Sequence, residues 1–370
     1  MMKKGWDIKK LGEVCTFING FAFKSSKFTE SGEPIIRISD IQNGMVVDSN
    51  VVYFDIDSYS ENLSKYKVYP NDILIAMSGG TTGKIGINYT NREFYLNQRV
   101  GVFRENNNVL NHMFLFYYLH TKGEDSLKMA AGAAQPNLST AQIKDFDIPI
   151  PPLSEQKEIV KFLDSSFAKI DTLKANAAKN LDEAKALFQS ALKEALEPKK
   201  GWDIKKIGEV ADIVHGKNQK DVISTHGKYP IYGSGGTVMG YATEYLCKAG
   251  TIILGRKGTI NNPQYINHKF WNVDTAFGIV AKESIDSKYL FFFIKKQDWE
   301  KMNTGTTLPS LTQAIVKNVD IPLPPLSEQQ EIVSRLDSLN EKVNTLQQNY
   351  SRICSECDAL KQAILRQVFE

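Results

Sequence analysis

Hydrophobic positions along this chain follow two rhythms. From Val160 they step alternately by three and four residues: Val160, Leu163, Phe167, Ile170, Lys174, Ala177, Leu181, Ala184, Phe188, Ala191 and Ala195, with Lys174 alone breaking the seam. A second series runs through Ile332, Leu336, Leu339, Val343, Leu346, Tyr350, Ile353, Cys357, Leu360 and Ile364. A 3.5-residue period held over about five heptads predicts two long helices of the coiled-coil kind. Each start is marked by a proline pair that blocks helix (Pro151 and Pro152, Pro324 and Pro325). Ser154 or Ser327 then stands as N-cap with an acidic first turn. Elsewhere the apolar runs are short, at 35–38, 51–54, 73–76, 100–103, 252–254 and 277–280, separated by Gly and Asn turns. They predict strands of a mixed sheet, with helices at 112–122 and 287–296 against it, hence an α+β class.

Comparing the chain with itself organises these elements. Residues 3–14 read KKGWDIKKLGEV and residues 199–210 read KKGWDIKKIGEV, an offset of 196. Residues 147–160 read DIPIPPLSEQKEIV and residues 320–333 read DIPLPPLSEQQEIV, an offset of 173. The chain is a tandem duplication, and the 23-residue difference means that the first copy carries extra loop or strand material. The expected organisation is a globular domain at 1–150, a long helix at 151–198, a second globular domain at 199–321 and a long helix at 322–370. A lone apolar seam cannot stay in water, so the two helices are expected to pair antiparallel about a pseudo-twofold axis. That pairing separates the domains by a rod of about 65 Å and brings the N- and C-termini, Gly5 and Glu370, together.

Composition then narrows the class. The 370 residues are 42% hydrophobic and carry 45 Lys plus Arg against 42 Asp plus Glu, which suits an ordinary globular protein and excludes disorder. No apolar run approaches the length of a membrane span, and the polar N-terminus offers no export signal, so a cytoplasmic protein is expected. Four scattered cysteines (Cys15, Cys247, Cys354, Cys357) agree with a reducing compartment. The net charge of +3 is unevenly spread: the first globular segment is neutral, the second is +6 and the two helices together are −3. Positive charge thus gathers where a nucleic-acid-reading surface would lie. In the neutral segment, Lys84, Arg92, Arg99 and Arg104 still cluster among Thr, Asn and Gln.

Several strings imitate catalytic motifs and fail. Residues 78–85 read SGGTTGKI, which lacks both the first Gly of a P-loop and the Ser or Thr that would hold magnesium. Asn262-Pro263-Gln264-Tyr265 imitates the Asn-Pro-Pro-Tyr motif of adenine methyltransferases without a Gly-rich S-adenosylmethionine loop, so it reads as a turn. The Ser-Glu-Gln strings are assigned wholly to helix starts. Cys354 and Cys357 form a lone CxxC with no second pair, and the five histidines share no ligand spacing. No metal, cofactor or catalytic residue is therefore expected in this chain.

Two variable globular segments, each followed by Pro-Pro-Leu-Ser-Glu-Gln running into a long helix, with a repeated Gly-Trp-Asp-Ile-Lys-Lys opening, resemble the specificity (S) subunit of Type I restriction-modification systems. The resemblance implies two target recognition domains, each reading one half of a bipartite, asymmetric site on double-stranded DNA, with the helix pair as ruler. It implies a non-catalytic subunit on which two methyltransferase (M) subunits dock and which restriction (R) subunits join. S-adenosylmethionine and ATP would belong to those partners. The Gly-rich basic turns are the expected DNA-facing positions: Ser78, Thr81, Thr82 and Lys84 in the first domain, Arg256, Lys257 and Thr259 in the second. Arg37, Arg99, Tyr232 and Ser234 are further candidates. The alternatives are a recognition subunit of another restriction class, a stand-alone methyltransferase or nuclease, and a coiled-coil scaffold joining two protein-binding domains.

Overall fold

A computed structural model describes residues 6–130 and 137–369, so the expected approach of Gly5 to Glu370 lies outside the described residues. The chain divides into two compact units, Met1–Ala175 with Ile353–Glu370, and Asn176–Arg352. Each is α+β. In the first unit, strands β1 (Cys15–Asn19), β2 (Ile73–Ala76), β3 (Ile85–Ile87) and β4 (Val100–Glu105) form an antiparallel frame in the order β1-β4-β2-β3. In the second, β5 (Ala211–His215), β6 (Thr251–Gly255), β7 (Gln264–Ile266) and β8 (Ala276–Ala281) repeat it as β5-β8-β6-β7. Register matches position to position: Ala76 faces Val100 as Gly255 faces Ala276. The extra material of the first copy includes strands Ile41–Gln42 and Gly44–Val46, which extend its frame beyond β3.

The repeated strings are each other's partners. Asp7–Lys10 pairs antiparallel with Asp147–Ile150, and Asp203–Lys206 pairs with Asp320–Leu323 in the same register. Lys10 reaches Asp147 at 2.9 Å, and Lys206 reaches Asp320 at 2.7 Å. The indole N–H of Trp6 donates to Glu155 at 3.2 Å, and that of Trp202 donates to Glu328 at 2.9 Å. Trp6 and Val368 line one cleft in the first unit, so the described ends of the chain are neighbours.

Helix α1 (His112–Thr121) leads to α2 (Leu153–Ala195) in the first copy, and α3 (Ser287–Lys296) leads to α4 (Leu326–Phe369) in the second. The Ser-Glu-Gln strings do more than start helices. The N–H of Gln156 bonds to the Pro152 carbonyl, and that of Gln329 to Pro325, so Ser154 and Ser327 lie inside the first turn and are not the caps. Both glutamine side chains are fully buried. Gln156 accepts from the Asn111 N–H at 2.7 Å and donates to the carbonyls of Val109 and Pro151 at 2.9 and 2.8 Å. Gln329 likewise accepts from the Asp286 N–H and donates to Pro324, each at 2.8 Å. Each glutamine ties the root of a long helix to the start of the shorter helix before it.

The seam of α2 is inward-facing throughout, from Val160, Leu163, Phe167 and Ile170 to Leu181 and Phe188. In the first unit Asp171 meets Lys361 at 2.5 Å and Lys174 meets Asp358 at 2.9 Å, so rising numbers on α2 meet falling numbers on α4, the antiparallel sense. Lys174 breaks the apolar seam because a carboxylate faces it. On α4, Leu336, Leu339, Val343, Ile353 and Ile364 are buried or half-buried as expected. Leu346 and Leu360 are not: they are 38% and 50% exposed. A straight helix of 3.6 residues per turn drifts from a 3.5-residue stripe. After Val343 the sheltered positions resume at Asn349 and Tyr350, and after Cys357 the inward place falls to Lys361, whose amine lies 5.3 Å over the Phe167 ring. No helix among the described residues is long and apolar enough to cross a membrane.

Candidate nucleic-acid interface

The variable turns leave the frame at one place in each unit. In the second, β6 ends at Gly255 and the chain folds back so tightly that Gly258 is left-handed (φ +84°), a conformation that glycine adopts without a Cβ clash. The turn is held from two sides. The N–H groups of Arg256 and Lys257 bond to the Thr275 carbonyl, and that of Gly258 bonds to Pro309. Lys257 bridges Ser310, and the Leu311 N–H bonds to the Arg256 carbonyl. The loop around Ser234 rests on the same turn: a Cβ built on Gly258 would lie 3.6 Å from the Ser234 hydroxyl, and one on Gly235 3.4 Å from that of Thr259. Ser234, Lys257 and Thr259 are therefore brought together, with Lys257 and Thr259 exposed.

Arg256 stands at the edge of this group and donates to the Asp274 carbonyl at 3.0 Å. Tyr232 is not on the surface. It is 9% exposed, its hydroxyl sits 3.1 Å from His268 Nε2, and its ring packs on Phe270, so it belongs to the core beneath the loop.

The equivalent turn of the first unit follows Ala76. Gly79 matches Gly258 in conformation (φ +73°), and the bridge from Ser78 to Asn137 matches that from Lys257 to Ser310. Ser78 is nevertheless 4% exposed, and Thr82 is 3% exposed with its hydroxyl turned back onto the Gly79 carbonyl at 2.7 Å. Neither faces solvent, contrary to expectation. Thr81 is half-buried, while Lys84 and Arg99 are exposed. Arg37 is half-buried and engaged: it donates to the Asn50 carbonyl at 2.8 Å and lies 3.6 Å from the buried Asp40 carboxylate.

One exposed stretch carries no recognisable motif. Exposed Thr304, Thr306 and Thr307 belong to a loop closed by the Thr304 N–H to the Ser310 carbonyl and braced by Asn303, which accepts from both Gly305 and Ser310 at 2.8 Å. Its signal was present. Pro136-Asn137-Leu138 and Pro309-Ser310-Leu311 continue the 173-residue repeat upstream.

Beside the first turn, His120 packs edge-on to Phe116 with ring centroids 4.6 Å apart, and burial pushes its pKa down to about 4. A base whose folded value lies below its unfolded value of about 6.5 favours the unfolded chain once protons compete for it. Its contribution to stability is complete above about pH 6.5 and lost as pH falls toward 4. Since an edge of the ring remains accessible, wild type is expected to lose about 1 to 2 kcal/mol more than His120→Gln between pH 7 and pH 5. Urea unfolding of both proteins at the two pH values measures the difference. Equal losses would show that His120 does not titrate in this range.

The duplicated frame and its paired repeats match a known family. The model described as "Type I restriction modification DNA specificity domain" covers residues 3–181 and 199–353. The chain belongs to this family. Among its relatives, the putative type I restriction enzyme MjaX specificity subunit of Methanocaldococcus jannaschii is 25% identical, over 91% of this chain and 87% of that protein. The type I restriction enzyme StySPI specificity subunit of Salmonella potsdam is 23% identical, over 100% and 89%. The same fold occurs in a chain from a structure of complex assembly and conformational transition of the type I R-M system, with a TM-score of 0.81, 20% identity and coverage of 100% of this chain and 99% of that one. It occurs also in the HsdS subunit from Thermoanaerobacter tengcongensis, with a TM-score of 0.59, 21% identity and coverage of 100% and 97%.

Proposed function

We propose that the chain is the non-catalytic recognition subunit of a Type I restriction-modification complex, with each unit reading one half of a bipartite, asymmetric site on double-stranded DNA. Two methyltransferase subunits dock on it, and restriction subunits join through them. S-adenosylmethionine and ATP are bound by those partners. The observation that carries the reading is the match of one DNA-specificity family to both copies, whose frames agree while their turns differ. Different turns on one frame serve two different half-sites. In the second unit Ser234, Arg256, Lys257 and Thr259 face DNA; in the first, Thr81, Lys84 and Arg99 do so. Arginine and lysine pair with guanine edges or phosphates, and exposed hydroxyls with either. Helices α2 and α4, of 43 and 44 residues without a break, set the unread gap.

Mapping methylated adenines by single-molecule sequencing, in cells carrying this chain with its methyltransferase subunit, is expected to give a gapped motif with two unlike halves. A palindromic, ungapped motif would overturn the reading.

A further inference from the structure

The same place in each unit, where the chain enters the strand β3 or β7 and faces the last turn of α1 or α3, is hollow. In the first unit Gly83, Lys84, Ile85 and His120 line the cavity. In the second, Asn261, Asn262, Pro263 and Lys295 occupy the matching positions and line two adjoining cavities of about 360 and 340 Å³. His120 and Lys295 correspond, each nine residues beyond a helix cap, Asn111 or Asp286, whose N–H is held by the repeated glutamine.

Lys295 is an unusual cation. Its amine lies 5.4 Å over the Phe188 ring and 5.5 Å over that of Phe291, and its hydrogen-bond partner is the Asn340 side-chain oxygen at 3.2 Å. Among the described residues no carboxylate lies within ion-pair distance of it. Nearby Asp337 is taken by Lys288, and Asp298 by Lys301. Loss of water pushes the Lys295 pKa down. Amides line both sides, Asn262, Gln264, Asn340 and Asn344 on one and Gln189, Asn261 and Gln297 on the other, beside Lys288, Lys296 and the two ion-paired carboxylates Asp337 and Asp298. A half-buried amine among amide donors, with no anion of its own, is a setting for a phosphate.

We propose that the Lys295 cavity receives a backbone phosphate of duplex DNA beside the half-site read by the second unit. The inference rests on the DNA-reading function above and locates one contact that carries no base information. Duplex DNA is favoured over a partner protein because the cavity is continuous with the reading turn. Asn262 follows that turn by three residues and donates to the Gly235 carbonyl at 3.4 Å, in the loop that carries Ser234.

The test measures duplex binding by the full chain with its methyltransferase subunits across a salt series. Lys295→Met keeps a stem over the rings and removes the charge. It is expected to weaken binding about tenfold and to reduce the slope of log affinity against log salt by about one, for cognate and unrelated duplexes alike. Lys295→Arg is expected to keep the slope. The phosphate site is overturned, with DNA recognition intact, if Lys295→Met keeps the wild-type affinity and slope. It is equally overturned if Lys295→Arg loses as much slope as Lys295→Met, since packing would then be the cause. Weakened association with the methyltransferase subunits at an unchanged salt slope would assign the cavity to a protein instead. Absence of salt-dependent binding by wild type would sink the recognition function itself.

Discussion

Gln156→Leu is expected to destabilise the first unit by about 3 to 5 kcal/mol, read as a lower urea midpoint for the loss of its tertiary signal. Leucine matches glutamine roughly in size, so the loss is not one of volume. The side chain serves one donor and two acceptors at the junction of three segments: the Asn111 N–H, the Val109 carbonyl and the Pro151 carbonyl. At this fully buried position no water takes over, and each stranded group costs about 1 to 3 kcal/mol. Gln329→Leu is expected to cost less, because that side chain bonds to two groups, the Asp286 N–H and the Pro324 carbonyl. The order of the two effects is the check. A Gln156→Leu protein as stable as wild type would show that the junction is held by apolar packing alone.

On the proposed function, Gly255→Ala is expected to abolish recognition of the half-site assigned to the second unit while leaving the first unit folded. A Cβ at this position would sit 1.8 Å from the Thr259 carbonyl oxygen and 2.7 Å from its carbon. Both are backbone atoms, so no rotamer relieves the clash; the turn that presents Lys257 and Thr259 must move as a whole. The cost is about 3 kcal/mol or more in that turn, and adenine methylation at the intact bipartite site should be lost. Retained methylation would mean that the reading contacts lie elsewhere. The first unit carries Ala76 at the matching position without strain, because its turn is longer: the Gly83 N–H returns to the Ala76 carbonyl, and the Lys84 carbonyl accepts from the Ala76 N–H. Ala76→Gly should therefore cost only about 0.5 to 1 kcal/mol.

These residues show where the amino-acid pattern was informative. The expected runs at 73–76, 100–103, 252–254 and 277–280 are strands β2, β4, β6 and β8 to within two residues at either end, and the expected helix at 287–296 is α3. Alternation and helical spacing report burial directly, so the frame was legible. The seam was legible along α2 but slipped at Leu346 and Leu360, because the stripe was read with one fixed period and the helix drifts from it. The reading surface was less accessible to such reasoning. Ser78 and Thr82 sit in a Gly-rich basic turn like that of Lys257 and Thr259, and nothing in the local sequence separates the buried pair from the exposed one. Nor does local sequence reveal that Tyr232 points inward. A β-strand shows alternate faces, and the pattern alone does not say which face the loop above it covers. The glutamines are visible as a repeat, but the repeat indicates no more than a helix start, since their partners are carbonyls and an N–H that leave no mark in side-chain identity.

The pairing of the two repeated strings bears on how such a protein can acquire a new specificity. Each reading unit is entered along one strand of a two-stranded doorway and left along the other, and the doorway has the same register in both copies, Asp7 opposite Ile150 and Asp203 opposite Leu323. Everything between the two strands is a cassette. A foreign segment bounded by the same two strings would find its hydrogen-bonding partner and its tryptophan latch already in place, and would itself have to supply only the helix start that the repeated glutamine ties down. Exchange of whole reading segments thus requires no invention at the joints, and the near-identity of those strings within one chain leaves two ready sites at which it can occur.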